Sequence, residues 1–462
     1  MKARRKSALR FCLAAALILK SAAWGPGVRS APTGELSKFL TLDNGLKVFL
    51  VERRSAPLVN IAAAVNCGSK DDPAGASGTA HLLEHYVLFR GTNARSGDEI
   101  GRRVRSHGAF FNASTSQDLT LFEMSLPAAY ADFGLATERE ILFDLKIDPE
   151  GVEAEKAVLL EEVGQLADDP VRSGLGLVAQ NIFGSHPYGS PLQGRKETLP
   201  TITADSLEAF YRSFFVPANC SLAVVGDLSL ADMEEKVRAV FGRLASAPFE
   251  AKAVPPPAPM AKDLDITLEM DVNKAYCFLG MMGPDYQSDD QFPVDALTEI
   301  MGLGFNPMLI AALRVNRDLV ETVSMGYTAF KHAGLIVATL TLEPKNLPAA
   351  KNEALAFLRR ARKLDFGPED LLGDAQFYAF DHLQSAKNQI RFRMYRSQEK
   401  GLNVAASLAR YLILWDGTAE RSYLKRIDAL TTSDLRQAAG RYLGSGKKVV
   451  ISIVPRKKGK NP

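Results

Sequence analysis

Hydrophobic residues in this chain follow two different periods. Short stretches at 46–51, 58–65 and 119–125 are either alternating or continuously apolar, which predicts β-strands. Longer stretches at 79–88, 98–106, 128–143, 152–166 and 203–214 repeat their apolar positions every three or four residues, which predicts helices. Strands are not followed one by one by single crossover helices. The order therefore points to an α+β fold, with mostly antiparallel sheets and helices on one face, and not to a doubly wound parallel sheet.

The same order occurs twice. Thr203-Ala204-Asp205-Ser206-Leu207 opens a helix that runs through Phe210 and Tyr211 and feeds the apolar run 221–225, closed by Gly226-Asp227. Thr432-Ser433-Asp434-Leu435 opens a helical pattern to Tyr442 and feeds 449–454, closed by Pro455. Each begins on residues suited to capping a helix. Between the two lies Val254-Pro255-Pro256-Pro257-Ala258-Pro259, with four prolines in five residues. Proline cannot join a helix interior or an inner strand, so the segment suits a stiff extended linker. The expected organisation is two homologous domains, 34–250 and 261–462, joined by a linker at 251–260.

A length of 462 residues accommodates two cores, and 46% hydrophobic with 24% charged residues is ordinary for a globular chain. A formal net charge of +3 makes no case for nucleic-acid binding, which shows as a clustered basic face. The first residues stand apart. Lys2, Arg4, Arg5, Lys6 and Arg10 precede the apolar run 11–19, and small residues and prolines follow to Pro32. This reads as a signal peptide at 1–31, too short in its apolar part to anchor in a bilayer. It implies export across the inner membrane, in a bacterium to the periplasm. No other stretch is expected to be long and apolar enough to span a membrane. Cys12 would leave with the signal. Cys67, Cys220 and Cys277 are widely spaced, lie in or beside apolar runs and contain no CxxC pair, so buried free thiols are expected and a thiolate zinc site is not.

Candidate chemistry concentrates in His81-Leu82-Leu83-Glu84-His85. On a helix, residues four apart share a face, so both imidazoles can reach one metal ion. Glu84 lies near that face and can take a proton from a water activated by the metal, without itself being a ligand. The order H-x-x-E-H inverts the commoner H-E-x-x-H. A catalytic zinc site needs a third protein ligand. In the helical stretch 153–163, Glu155 and Glu162 are seven apart and share a face, while Glu161 is turned off it by about a hundred degrees. Glu162 is the expected ligand and Glu155 an acid behind the ligands that orients one of them. Taken alone, this helix also reads as an acidic, solvated face.

These residues carry a resemblance. The chain resembles the pitrilysin/insulinase-type zinc peptidases, most closely the short two-domain branch that includes mitochondrial processing peptidase and bacterial relatives. Gly68-Ser69-Lys70-Asp71-Asp72-Pro73 resembles the turn before the zinc helix, and Phe89-Arg90-Gly91-Thr92 the segment after it. Asn112-Ala113-Ser114-Thr115 is similar to the family's Asn-Ala-x-Thr strand, and His186-Pro187-Tyr188-Gly189 with Gly194 to its His-Pro-Tyr loop. Val216-Pro217-Ala218-Asn219 and Gly226-Asp227 fit the strand that ends the first domain. Glu155 and Glu162 fall on the family's second acid and third zinc ligand. The resemblance is dense from residue 40 to about 230 and thinner beyond. It implies one zinc ion per chain, a peptide substrate, and a half-clamshell whose two shells enclose a chamber favouring unfolded peptides.

Two departures matter. One residue more than usual separates His85 from Phe89-Arg90-Gly91-Thr92; a bulge at the helix end can absorb it, and because it follows His85 it leaves the H-x-x-E-H face intact. The family also completes its sites with an Arg and a Tyr, seven apart, that stabilise the oxyanion. Here Arg314 is in place but Glu321 stands where the Tyr is expected, and an ionised Glu cannot donate that hydrogen bond. The resemblance therefore implies a heterodimer with a homologous, zinc-free subunit that supplies the Arg/Tyr pair, and leaves Arg314 as a surface cation. The alternatives are a self-sufficient homodimer in which Tyr327 or another group replaces the Tyr, and a non-catalytic peptide-binding or assembly subunit. Asn112, Ala113, Ser114 and Thr115 either offer a strand edge to an extended peptide or form an internal strand. His107, His332 and His382 have no ligand-like spacing, and His186 is expected to position its loop.

Overall fold

The computed structural model describes residues 36–304, 306–370, 379–414 and 423–456; the segment expected as a signal, 1–31, lies outside them. The first half forms a six-stranded sheet from β1 (Ser37–Thr41), β2 (Lys47–Glu52), β3 (Leu58–Val65), β4 (Phe110–Thr115), β5 (Thr120–Pro127) and β6 (Cys220–Gly226), in the order β1-β2-β6-β3-β5-β4. Only β2 and β6 pair in parallel. The second half forms a five-stranded sheet from β7 (Leu264–Met270), β8 (Ala275–Gly283), β9 (Thr322–Ala329), β10 (Gly334–Leu342) and β11 (Val449–Pro455), in the order β7-β11-β8-β10-β9. Among the described strands one pair is again parallel, here the first strand of the half, β7, with the last, β11. Strand for strand, this repeats β2-β6-β3-β5-β4. Residues 251–260 between the halves run without regular structure.

In the first half the helices are α1 (Thr79–Phe89), α2 (Gly97–Ser106), α3 (Ala131–Phe143), α4 (Pro149–Asp168), α5 (Pro170–Phe183), α6 (Ala204–Phe214) and α7 (Leu230–Phe241). Those of the second half used below are α8 (Gln291–Thr298), α9 (Leu347–Arg360), α10 (His382–Gln398) and α11 (Gly401–Leu414). Boundaries depart from the periodicity where caps decide them. The stretch expected at 152–166 starts earlier because Asp148 accepts from Gly151 N (2.8 Å) and Pro149 takes the first helical position. The stretch expected at 128–143 opens with a 3₁₀ turn, Ala128–Tyr130, before α3.

Most helices of the first half cover one face of its sheet, over buried Val48, Leu50, Val59, Ile61, Phe122, Met124 and Leu126. The opposite face is closed by the other half. Ala62, Ala64, Leu121, Ala223 and Val225 pack against Val404, Ala405, Leu408 and Ala409 of α11. In return α5 lies on the second sheet, with Val178, Ile182 and Phe183 against Phe278, Val449, Ile451 and Ile453. The halves thus exchange one helix each. This buries β3 on both faces and explains its unbroken apolar run. Cys67, Cys220 and Cys277 are buried free thiols.

One expectation is corrected. The stretch Gln291–Val315 is long and apolar enough by composition to cross a membrane, but 65% of its most apolar window is buried inside the protein. Its backbone is extended at Gly304 and Pro307, so it is a broken core element and not a span.

Candidate metal centre

The site begins with the turn before α1. Gly78 has φ of +96°, a left-handed conformation that suits glycine. Asp72 reaches over this turn and accepts from Gly78 N (2.7 Å) and Ala80 N (2.8 Å), satisfying donors that the helix start leaves open. Burial pushes the Asp72 carboxyl up to about 7, against the two backbone bonds, which favour its charged form. Every residue of α1 from Thr79 to Val87 is buried. His81 and His85 share a face, with ring centroids 4.7 Å apart.

Tyr86 registers the second helix of the site. Its hydroxyl accepts from Asp148 N (2.9 Å) and donates to Asp148 Oδ2 (3.3 Å), tying α1 to the start of α4. From that anchor α4 carries Glu155 and Glu162 past the imidazoles. One ligand atom each of His81, His85 and Glu162 lies within 4.8 Å of the other two. His85 Nε2 faces Glu162 Oε2 at 3.8 Å, and His85 Nδ1 faces Glu155 Oε2 at 3.6 Å. Glu162 is half-exposed and Glu155 buried.

The residues fit a zinc ion. Ligand atoms about 2 Å from a tetrahedral metal stand roughly 3.4 Å from one another, so small side-chain adjustments close the set. Among the described residues His81 Nδ1 and His85 Nδ1 are buried without hydrogen-bond partners, which is costly unless something else uses these rings. Burial, then the neighbouring His85, lowers the His81 pKa to about 3, keeping the neutral imidazole that ligation needs. For His85, burial opposes charge, but Glu155, Glu162 and Glu84 outweigh it and raise its pKa.

Glu84 is buried beside this set, and Thr115 Oγ1 donates to its Oε2 at 2.7 Å. Burial raises the Glu84 pKa; the Thr115 bond partly offsets this. Thr115 was expected, with Asn112, Ala113 and Ser114, to offer a strand edge or to sit in an internal strand. Among the described residues β4 lies at the edge of its sheet and pairs with β5 only. Side chains alternate along it, and Ala113, with Thr115 on the same face, is buried in the core under the helices. Thr115 is therefore turned toward Glu84. Sequence reading missed this role, and also those of Asp72 and Tyr86; all three act across contacts that no spacing encodes.

The extra residue after His85 makes no bulge. Helix α1 continues to Phe89 and Arg90 N bonds Tyr86 O at 2.9 Å, so the insertion lengthens the helix by regular i→i−4 bonding. Arg314 is exposed on a π-helical turn, Ala311–Val315. Glu321 is ion-paired with Lys274, which also binds Glu343. Among the described residues neither Arg314 nor Glu321 bonds to the histidine cluster. Tyr327 is buried in the second core and donates to Pro284 O (2.8 Å), so it cannot serve as the replacement donor. His186 does hold its loop: Nδ1 accepts from Tyr188 N (3.1 Å), and Nε2 lies 2.9 Å from Pro255 O of the linker.

The chain is similar to known zinc proteases. Residues 47–196 match the family model described as insulinase, peptidase family M16, and residues 201–373 match that of the peptidase M16 inactive domain. An uncharacterized zinc protease of Streptomyces coelicolor is 24% identical over 87% of this chain and 86% of its own. Zinc protease PqqE of Helicobacter pylori is 24% identical over 90% of this chain and 92% of its own. A probable mitochondrial-processing peptidase subunit beta of Arabidopsis thaliana is 21% identical over 92% of this chain and 79% of its own. The crystal structure of a protease from Helicobacter pylori superposes with a TM-score of 0.81 at 23% identity, over 91% of this chain and 100% of the other, and shows the same fold. The two matched segments together span more than half of the sequence, and the chain belongs to the M16, insulinase-type, peptidase family.

Proposed function

We propose that this protein is the zinc-binding subunit of an endopeptidase of the H-x-x-E-H type that hydrolyses peptides or unfolded polypeptides. The observation that carries the proposal is the convergence of His81, His85 and Glu162 on one point, with Glu84 buried beside it and held by Thr115. The names of the relatives, zinc proteases and a subunit of a processing peptidase, support the same reading.

His81, His85 and Glu162 would hold one zinc ion per chain. Zinc bound there supplies Lewis acidity toward a water and the scissile carbonyl. Glu84 accepts a proton from the attacking water as its oxygen bonds the carbonyl carbon, and delivers that proton to the amide nitrogen as the C–N bond breaks. The exposed edge of β4 pairs with the substrate backbone as an added strand, with Asn112 and Ser114 on the strand face opposite Ala113 and Thr115. Donors for the oxyanion are proposed to come from a homologous, zinc-free partner carrying an Arg/Tyr pair, because Glu321 is bound to Lys274 and Tyr327 to Pro284. The basic and apolar residues at 1–31 support export, and we place the protein in a bacterial periplasm.

Zinc content and cleavage of an unstructured peptide, measured on the purified chain with and without a co-expressed relative, test the proposal. Expected are one zinc per chain, cleavage only with the relative, and at least a 100-fold loss of kcat in Glu84→Gln with zinc retained. Cleavage by the chain alone sinks the partner, and full activity of Glu84→Gln in the competent assembly sinks the mechanism.

A further inference from the structure

We propose that Arg90 is a positioning residue for the metal: by pinning Glu155 it sets His85 for zinc and tightens zinc binding. The inference rests on the metal reading above and concerns a residue just outside the H-x-x-E-H helix.

Arg90 is the first residue past α1, extended at φ −104° and ψ −178°, and its N–H closes the last turn on Tyr86 O. Its side chain turns back, and Nε donates to Glu155 Oε1 at 2.7 Å. Glu155 is 4% exposed, so its carboxylate has little water to turn to. Removing one partner of such a pair strands a buried charge. The other carboxylate oxygen, Oε2, lies 3.6 Å from His85 Nδ1. That gap is too long for a hydrogen bond, and the nitrogen is buried with no partner. The remaining nitrogen of the ring, Nε2, faces Glu162.

The order Arg90–Glu155–His85–Glu162 has a direct consequence. An acceptor at Nδ1 keeps the proton there and leaves the lone pair of Nε2 for the metal. Glu155 can act as that acceptor only if its carboxylate plane is held with Oε2 toward the ring. Arg90 occupies Oε1 and does so with a planar, forked guanidinium, which fixes an orientation that a lysine ammonium does not. Helix length matters too. The regular continuation of α1 to Phe89 is what brings residue 90 level with Glu155 on α4.

A competing effect has the opposite sign. A cation near a divalent metal repels it, so if Arg90 acted only through its charge, removing it would tighten zinc binding. The experiment is zinc titration of the full chain against a chromophoric chelator, for wild type, Arg90→Met, Arg90→Lys, Glu155→Gln and the double variant Arg90→Met/Glu155→Gln. Thermal unfolding of the zinc-free proteins checks that each is folded. Arg90→Met is expected to weaken zinc about tenfold, as loss of a residue behind the ligands does. Arg90→Lys should lose part of this, and Arg90→Met should cost nothing further once Glu155 is Gln. If Arg90→Met does not fold, Arg90→Lys against Arg90→Lys/Glu155→Gln gives the same comparison. Zinc affinity unchanged or raised in Arg90→Met overturns the inference alone, as does an undiminished loss in the Glu155→Gln background. A wild type that binds no zinc overturns the metal reading with it.

Discussion

Glu84 and Thr115 are 31 positions apart, yet the hydroxyl of one donates to the carboxylate of the other at 2.7 Å. Sequence spacing placed Glu84 beside the two histidines because a helix fixes i, i+3 and i+4 by geometry alone. It placed Thr115 only on a strand. The contact between them depends on where the edge strand passes α1, which no local rule supplies. A general base works best with its oxygen aimed at the proton it takes, and misplacement by about 1 Å costs up to roughly 100-fold. Thr115→Val is therefore expected to lower kcat in the competent assembly by roughly 10- to 100-fold, with KM and zinc affinity unchanged, and Thr115→Ser to restore it. An unchanged kcat in Thr115→Val means that burial alone orients Glu84.

At the level of elements, α1 shows what a helical pattern leaves open. The helix is buried all round from Thr79 to Val87, so the polar face that His81, Glu84 and His85 form is turned into the protein and not to solvent. Its start is set by Asp72, six residues ahead of Gly78, and its end by Arg90 N on Tyr86 O, both visible only in the fold. Helix α5 belongs to the first half by its place in the chain, but it lies on the second sheet. There Gly174 meets Phe278 so closely that a Cβ on it would stand 2.1 Å from the ring. Gly174→Val is thus expected to push α5 off the sheet and destabilise the protein by about 1–3 kcal/mol, read as a lower urea midpoint. If the midpoint holds, the Phe278 ring turns aside at no cost.

Across the whole molecule, the two halves share a plan and differ in chemistry. In the first half the helix after the third strand carries His81 and His85. At the same place in the second half, α8 and the turn after it carry Asp295 and Glu299, also four apart. Where α4 supplies Glu162, α10 supplies Arg393, 2.5 Å from Glu299, and Tyr423 donates to Asp295 at 2.9 Å. An internal ion pair thus occupies the second half where the first gathers its candidate ligands. The halves are also bound to each other. Asp118, in the turn after the edge strand β4, accepts from Tyr188 (2.7 Å) and from Lys331 N in the β9–β10 turn (2.9 Å). Together with the exchanged helices, this makes one half incomplete without the other. Residues 34–250 expressed alone should expose Ala62, Ala64, Leu121 and Val225, bind a hydrophobic dye and self-associate in size exclusion. A monomeric, dye-silent fragment would show that α11 is dispensable to the first sheet.

What the sequence determined by itself was whatever depends on local geometry. The α+β class, the helices at 79–88, 98–106, 128–143, 152–166 and 203–214, and the strands at 46–51, 58–65 and 119–125 follow from the two hydrophobic periods. The proline linker and the outline of a repeat follow from backbone constraints. The H-x-x-E-H face and the pairing of Glu155 with Glu162 follow from the helical pitch. Tertiary structure decided everything that joins residues far apart in the chain: Thr115 on Glu84, Arg90 on Glu155, Tyr86 on Asp148, and a helix from each half on the other's sheet. It also decided that β4 lies at an edge of its sheet among the described residues, and that Tyr327 is a core residue and not a spare donor. The physical reason is common to all of these. Helical and strand periods are properties of a few consecutive residues, whereas a hydrogen bond between distant side chains exists only once the sheets and helices have been packed against one another.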